Sequence, residues 1–362
     1  MKCNEVKTQW AHHIKGDIDA NLEQQIDEHL QTCEDCHRLL EKEAVVSQNQ
    51  PVDRLLLRAK WKHQSKLIVL TIFTILSLYI LSHIGSIVLY EIGDKTEKAR
   101  RVEQSYFQLT NANLTLSPSF STIEPLFKMN YDVVVEKKVG KESIYIADQQ
   151  PSLRFNRYQN LNFSKTIDKT ALQFANRTKN SSVNNSAWES LEKLPEGSVS
   201  ELAVTWTSAL TFKEVSEIVM PYDVTLVWAG IETEKLENLD DSLIPGINVV
   251  GLSMQAIQDD LLIYNELSKG NTPEDFNSIA AVEQLWRDTI IYLKDHNHYV
   301  KQLNNKMSLM DIQPELLLSY TDTHGIHLYG AVITGPTKEL LKLKSNEHVY
   351  SAQIGQSTLW NW

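Results

Sequence analysis

The sequence predicts three kinds of structure in series: a small all-α domain, a single transmembrane helix and a larger α+β region. Three observations predict them. All three cysteines fall within the first 36 residues, where two of them share a helical stretch with a histidine. One uninterrupted apolar run, Leu67 to Tyr90, carries no Asp, Glu, Lys or Arg. Beyond residue 197, short apolar segments of strand character flank helical ones twice over. A chain of 362 residues exceeds one ordinary core and calls for two or three domains. With 42% hydrophobic and 22% charged residues it is globular rather than disordered. Its net charge of -11 argues against a nucleic-acid binder, which needs a basic surface to neutralise phosphates.

The first domain covers residues 1–50. Val6, Trp10 and Ile14 recur at helical spacing and predict a helix over 4–15, closed by Gly16. Asp19 is placed to cap a second helix whose apolar face uses Leu22, Ile26 and Leu30. That helix is expected to run on past Cys36 through Leu39, Leu40, Ala44 and Val45, until Ser47-Gln48-Asn49-Gln50 and Pro51 interrupt it. On one continuous helix His29, Cys33 and Cys36 fall within roughly 60° of one another and leave a common face. If the segment bearing Cys3 folds back beside them, Cys3, His29, Cys33 and Cys36 supply three sulfurs and a nitrogen, the donor set of a closed structural zinc site. A Cys-x-x-Cys pair also serves redox chemistry. The histidine one turn upstream, and the confinement of every cysteine to this stretch, favour zinc. Four protein ligands leave no position for water or substrate, so a catalytic ion is not expected. The same 50 residues carry Lys2, Lys7, Lys15, Arg38 and Lys42 against ten acidic residues, which suits a basic protein partner better than DNA.

Residues 51–66 form an amphipathic juxtamembrane segment, with Leu55, Leu56, Leu57, Ala59 and Trp61 among basic side chains. It is suited either to lie on the inner leaflet or to contact a partner. The run at 67–90 spans about 36 Å as a helix, enough to cross a hydrocarbon layer of about 30 Å with some tilt. Arg54, Arg58, Lys60, Lys62 and Lys66 precede it against Asp53 alone, whereas Lys95, Lys98, Arg100 and Arg101 are diluted by Glu91, Asp94 and Glu97. The positive-inside bias therefore places the N-terminus in the cytoplasm and the C-terminus outside it. The cysteines point the same way, because thiolate ligands need a reducing compartment. His83 within the run reads as a neutral helix-contact residue or a proton-sensing group.

Residues 91–196 begin with a charged stalk, Glu91 to Glu103, expected to prolong the transmembrane helix. Tyr131 to Glu136 and Glu142 to Ala147 predict a β-hairpin turning near Gly140. Asn176 to Ser186 is a polar loop. Asn113, Asn162, Asn176, Asn180 and Asn184 open glycosylation sequons that in a bacterial protein are surface residues.

Residues 197–362 predict a strand at Ser200 to Trp206, a capping box at Thr211 and Glu214 opening a helix to Met220, and a strand at Val224 to Ala229. After a long helix over roughly Phe276 to Leu303 the pattern recurs: a strand at His327 to Ile333, a helix from Lys338 to Leu343 capped by Thr337, and a strand at His348 to Ile354. Two strand-helix-strand units of this kind suggest a ferredoxin-like C-terminal domain.

Gly16-Asp17-Ile18-Asp19 followed by a helix into His29-x-x-x-Cys33-x-x-Cys36, with a cysteine near the start, resembles the zinc-binding domain of anti-sigma factors. In that family the finger is a small helical fold that clamps a sigma subunit of RNA polymerase, and its ligands match Cys3, His29, Cys33 and Cys36. Cys3 lies almost at the terminus, and His37 follows Cys36 as an alternative nitrogen donor. A helix beyond the finger inserts between the two domains of the sigma subunit in that family, which marks Leu55, Leu56 and Leu57 as partner-contact residues. Tyr329 to Leu343 and Gly355 to Trp362 resemble the C-terminal sigma factor regulator domain of Gram-positive membrane anti-sigma factors of the sigma-M type. The likeness is looser over 67–190.

The resemblance implies a membrane-bound anti-sigma factor that occupies an extracytoplasmic-function sigma factor by stoichiometric binding and frees it on an envelope signal. Release would follow proteolysis, a change of membrane partner or thiol oxidation. The resemblance implies no enzyme. Gly330 to Lys338 lacks a phosphate-binding loop's lysine and has Pro336 instead, and neither Gly-x-Ser-x-Gly nor His-Glu-x-x-His occurs. The alternative is a zinc-dependent envelope sensor or enzyme in which Asp295, His296, His298, His324 and His327 form a second metal site.

Overall fold

The computed structural model describes residues 1–15, 17–48, 52–92, 94–161, 163, 172–177, 186–233, 246–247, 249–254, 279–307, 310–359 and 362. They form two compact units, Met1–Leu78 and Tyr79–Trp362.

The first unit begins with α1 (Cys3–Lys15), α2 (Ala20–Thr32) and α3 (Glu34–Gln48). Val6 and Trp10 from α1 meet Ile26 and Leu30 from α2 and Cys36 from α3 in a small core, with Ile18, Leu22 and Cys33 at its edge. Periodicity anticipates this core and the helix α1, but not the division of the second helix into α2 and α3. The chain leaves the helical conformation at Cys33, whose φ of -116° and ψ of 105° end α2, and α3 starts afresh at Glu34. Asp19 occupies the N-cap position of α2 with extended backbone, but its side chain makes no capping hydrogen bond. Gly16, Asn49, Gln50 and Pro51 lie outside the described residues.

Helix α4 (Val52–Ile87) takes in both the basic amphipathic segment and most of the apolar run, and a π-helical turn, Val88–Ile92, follows it. Between Arg58 and Ile92 the helix is long and apolar enough to cross a membrane. The charged stretch after it does not prolong it. Asp94 takes a left-handed conformation, φ 49°, and α5 (Lys95–Thr110) restarts as a packed helix that buries Ala99, Val102, Tyr106, Phe107 and Leu109. Apolar residues at helical spacing on this segment outweigh its charges, most of which occupy the opposite face, while Glu103 is buried with the apolar side chains.

The second unit holds two five-stranded sheets. In the first, β2 (Lys128–Val139) lies between β1 (Leu114–Glu124) and β3 (Glu142–Gln149), turning at Gly140 as expected, and its other end pairs with β4 (Ser152–Arg154), which pairs in turn with β5 (Arg157–Gln159). Alternation along β2 sends Met129, Tyr131, Val133, Val135, Lys137 and Val139 inward.

A short pair, β6 (Phe174–Ala175) with a partner strand at Gly246–Ile247, and helix α6 (Ser186–Glu192) lead to the second sheet. It comprises β7 (Ser198–Leu210), β8 (Thr225–Ile231), a short edge strand at Gly251–Ser253, β11 (Leu328–Pro336) and β12 (Val349–Leu359). Numbering the pair partner β9 and the edge strand β10, the order is β10-β8-β11-β7-β12, antiparallel throughout. Helix α7 (Phe212–Val219) connects β7 to β8, and α11 (Thr337–Lys342) connects β11 to β12. Thr211 and Glu214 make the full capping box of α7. Thr337 does not cap α11: Pro336 takes the N-cap position, and the Thr337 hydroxyl instead donates to Ser198 O at 3.0 Å.

Among the described residues between β10 and β11 there are three helices: α8 (Ile279–Asp295), α9 (Asn297–Met307) and α10 (Pro314–His324). The long helix expected over 276–303 is thus broken at His296, and its first three residues lie outside the described set. Leu285, Trp286, Ile290 and Leu293 of α8 and Tyr299, Val300 and Leu303 of α9 join the main core with both sheets. Gly330 is required by close packing, because a Cβ there would meet Phe174 Cδ1 at 2.4 Å and Val204 O at 2.5 Å.

Candidate metal centre

Three elements converge at the head of the first unit. Cys3 opens α1, His29 stands in the last turn of α2, and Cys33 and Cys36 lie on either side of the start of α3. One ligand atom from each of Cys3, His29, Cys33 and Cys36 lies within 4.8 Å of the others, a group able to hold a metal ion. The break at Cys33 helps to build it. Its N–H donates to His29 O at 2.9 Å, closing α2, and its carbonyl accepts from His37 N at 3.0 Å, so it joins two helices while its own backbone is extended.

The donor chemistry fits a tetrahedral ion. Sulfurs bound at about 2.3 Å to one such ion stand about 3.8 Å apart, and Cys3 Sγ and Cys33 Sγ are 3.6 Å apart. His29 Nε2 is buried without a hydrogen-bond partner among the described residues, a costly state that a metal would relieve. Cys36 is 3% exposed. Burial raises its thiol to about 11, so a cation would be needed to hold it as thiolate. The Cys33 thiol is lowered, chiefly by the Cys36 backbone N–H. His37, the alternative nitrogen donor, is exposed and stands outside the group.

Leu55, Leu56 and Leu57 fall in the first turns of α4, and their side chains lie outside the described residues. Asp295, His296, His298, His324 and His327 form no metal-holding group among the described residues. His296 Nδ1 is 2.9 Å from Tyr292 O, and His324 Nδ1 is 3.1 Å from Tyr320 O, each one turn back on its own helix. Desolvation lowers the pKa of His298, whose ring centroid lies 3.8 Å from that of Tyr299.

A second constellation, unforeseen from the sequence, lies between the two sheets of the C-terminal unit. Lys137 Nζ is 3.0 Å from Glu201 Oε2, with side chains 2% and 0% exposed. Asn113 Nδ2 donates to Glu201 Oε1 at 2.6 Å, and the Gln356 N–H donates to Glu201 Oε2 at 3.1 Å. Beside this pair, Gly140 N donates to Thr334 Oγ1 at 2.7 Å, and Thr334 Oγ1 donates to Ser200 O at 3.0 Å. A lysine inside the predicted turn Lys137-Lys-Val-Gly-Lys141 looks like a solvated charge. Its one available signal was register, since it continues the inward alternation of Tyr131, Val133 and Val135.

Residues 191–356 match the model of the family described as "Sigma factor regulator C-terminal". The chain is 26% identical over 316 residues to a probable anti-sigma-M factor, YhdL, of Bacillus subtilis (strain 168), covering 85% of this chain and 83% of that one. No solved structure matches the chain.

Proposed function

From the premise that this chain is an anti-sigma factor, the family to which its C-terminal domain and its likeness to the Bacillus protein assign it, we propose how it performs the family's role of sequestering a sigma factor. The head formed by α1, α2 and α3 is braced by one zinc ion on Cys3, His29, Cys33 and Cys36. Bound there, zinc would supply cohesion alone, since four protein ligands leave no coordination position for substrate. Leu55, Leu56 and Leu57 present apolar surface to the sigma factor, which is of the extracytoplasmic-function class. Ten acidic residues against five basic ones in the first fifty favour a basic surface on that partner.

Helix α4 crosses the membrane once, with the head in the cytoplasm. Its length and composition support the crossing, and the basic residues from Arg54 to Lys66, together with the confinement of cysteine to the head, support the orientation. The C-terminal unit receives an envelope signal, through a membrane partner or otherwise, that lowers affinity for the sigma factor. The order β8-β11-β7-β12 with helical crossovers supports reading its domain as ferredoxin-like, extended by β10 at one edge.

The four-donor cluster at the edge of the head's core carries this reading. Co-purification of residues 1–66 with a two-domain sigma factor tests it. A one-to-one complex containing one zinc is expected, and failure to retain any sigma factor would remove the proposal.

A further inference from the structure

Two β-turns of the C-terminal unit lie against the end of the apolar helix, and their composition is unusual. The first, between β1 and β2, holds Leu126 and Phe127 at φ 62° and 56°. The second, between β4 and β5, holds Phe155 and Asn156 at φ 48° and 62°. Left-handed positions in hairpin turns ordinarily go to glycine, asparagine or aspartate, because a large side chain there is sterically costly. Three of these four carry large apolar side chains instead, and Leu126 and Phe155 are 57% and 58% exposed. The turns support one another: Phe155 N donates to Phe127 O at 3.1 Å, and the two phenyl rings stack at 4.8 Å.

Their height along α4 is set by hydrogen bonds. Leu126 N donates to Ser82 Oγ at 3.4 Å and Phe127 N to Ser86 Oγ at 2.9 Å. Tyr90 OH donates to Phe127 O at 2.8 Å and to Leu153 O at 3.1 Å. Gly85 leaves room for the Phe127 ring, which a Cβ would meet at 3.0 Å. A hydrocarbon layer of about 30 Å takes about 20 residues of helix, so counted from Leu67 it reaches about Ile87. Ser86 is then at its margin and Ser82 about 6 Å deeper. Backbone groups at that depth must be satisfied by protein, and the two serine hydroxyls do this for the first turn. Arg154 and Arg157, both exposed, flank Phe155.

Resting on the reading of α4 as a membrane span, we infer that these two turns are immersed in the adjoining leaflet of the phospholipid bilayer. Leu126, Phe127 and Phe155 enter the upper acyl region, and Arg154 and Arg157 meet the lipid phosphates. Apolar side chains at strained positions are thereby solvated by lipid, and the patch is continuous with the helix surface that lipid already covers. Arginine beside an apolar tip suits the phosphate boundary, where its stem stays in the apolar layer and its head in the polar one.

The test uses the full-length chain in phospholipid vesicles containing a lipid with a photoreactive diazirine in its acyl chain, followed by peptide mapping of the adducts. Lipid adducts are expected on Leu126 or Phe127, on Phe155, and on the exposed Phe73 of α4, with none on Tyr145. Tyr145 is 58% exposed but pairs with Glu136, eight residues along β2 from the first turn. Adducts on Phe73 without any on the turns would overturn the inference and leave the span intact. Absence from Phe73 as well would overturn both. Labelling of Tyr145 equal to that of Phe155 would also refute it, since exposure alone would then explain the adducts. In the double variant Arg154→Glu, Arg157→Glu, labelling of Phe155 should fall relative to Phe73; an unchanged ratio would remove the arginines from the site.

Discussion

Glu201 is enclosed on β7 and receives Lys137 from one side, Asn113 from another and the Gln356 N–H from a third. Each partner belongs to a different segment, so the carboxylate on β7 joins the first sheet and the residue before β1 to β12 at one edge of the second sheet. Removing one member takes the opposite charge away from the other in a dry interior, which costs about 3–5 kcal/mol. Glu201→Ala should therefore lower the denaturant midpoint of the C-terminal unit sharply, while Glu201→Ala with Lys137→Met should recover much of the loss. Equal midpoints for the single and double variants would show that the pair is not coupled.

Glu103, on α5, is a different case. It is 2% exposed and accepts a hydrogen bond from Tyr131 OH, while its Oε1 finds no partner among the described residues. Burial pushes its pKa up to about 7 from an ordinary 4.5. The folded state therefore holds a proton that the unfolded state has released. The stabilisation is complete below about pH 4.5 and is lost as pH rises towards 7, a fall of about 3 kcal/mol. Thermal unfolding of Glu103→Gln should lack this component between pH 4.5 and 7, and a wild-type slope in the variant would contradict the assignment. Neither carboxylate is legible in sequence, because a charge at an inward position looks the same in one dimension as a charge at a solvated one.

At the scale of elements, patterns that depend on neighbours in sequence were readable. The capping box Thr211-Phe-Lys-Glu214 is present with both of its hydrogen bonds, and Thr211→Ala should destabilise the C-terminal unit by about 1 kcal/mol in denaturant titrations. No change in midpoint would mean that packing of α7 makes the cap redundant. The hairpin at Gly140 was readable for the same reason. Breaks made by tertiary packing were not. Nothing at Cys33 or His296 announces the end of a helix, since neither is glycine or proline, whereas before Asp94 the sequence carries a stop signal in Gly93 that the charged stalk obscured. At Thr337 the sequence shows a good capping residue, but its hydroxyl is drawn to the Ser198 carbonyl and to Ser200 Oγ at 3.2 Å across the sheet.

At the scale of the whole molecule, the cluster of Cys3, His29, Cys33 and Cys36 that could hold a metal was visible in advance because the spacing of its last three members is local, and only Cys3 had to arrive from elsewhere. Among the described side chains Val6, Trp10, Ile26, Leu30 and Cys36 form the core of the head, and in a domain this small a bound metal supplies folding energy. Chelation, or Cys33→Ser, should accordingly abolish the helical signal of isolated residues 1–66 and the capture of sigma factor. The unfolding transition of the C-terminal unit should be unaltered. Retention of sigma factor by the metal-free head would refute a structural role for the ion. The inter-sheet seam was not visible in advance, because it joins side chains far apart in sequence.

The strand order carries a temporal consequence. Ser200 Oγ meets Ser357 Oγ across β7 and β12, 157 positions later in the chain. During synthesis β7 must wait, both edges unclaimed, because its neighbours β11 and β12 are the last strands to be made. The head needs only the first 36 residues to bring together the four side chains that could hold a metal. The head's cluster can thus be complete in a nascent chain long before the C-terminal sheet has closed, so the two units finish folding at well separated moments of synthesis.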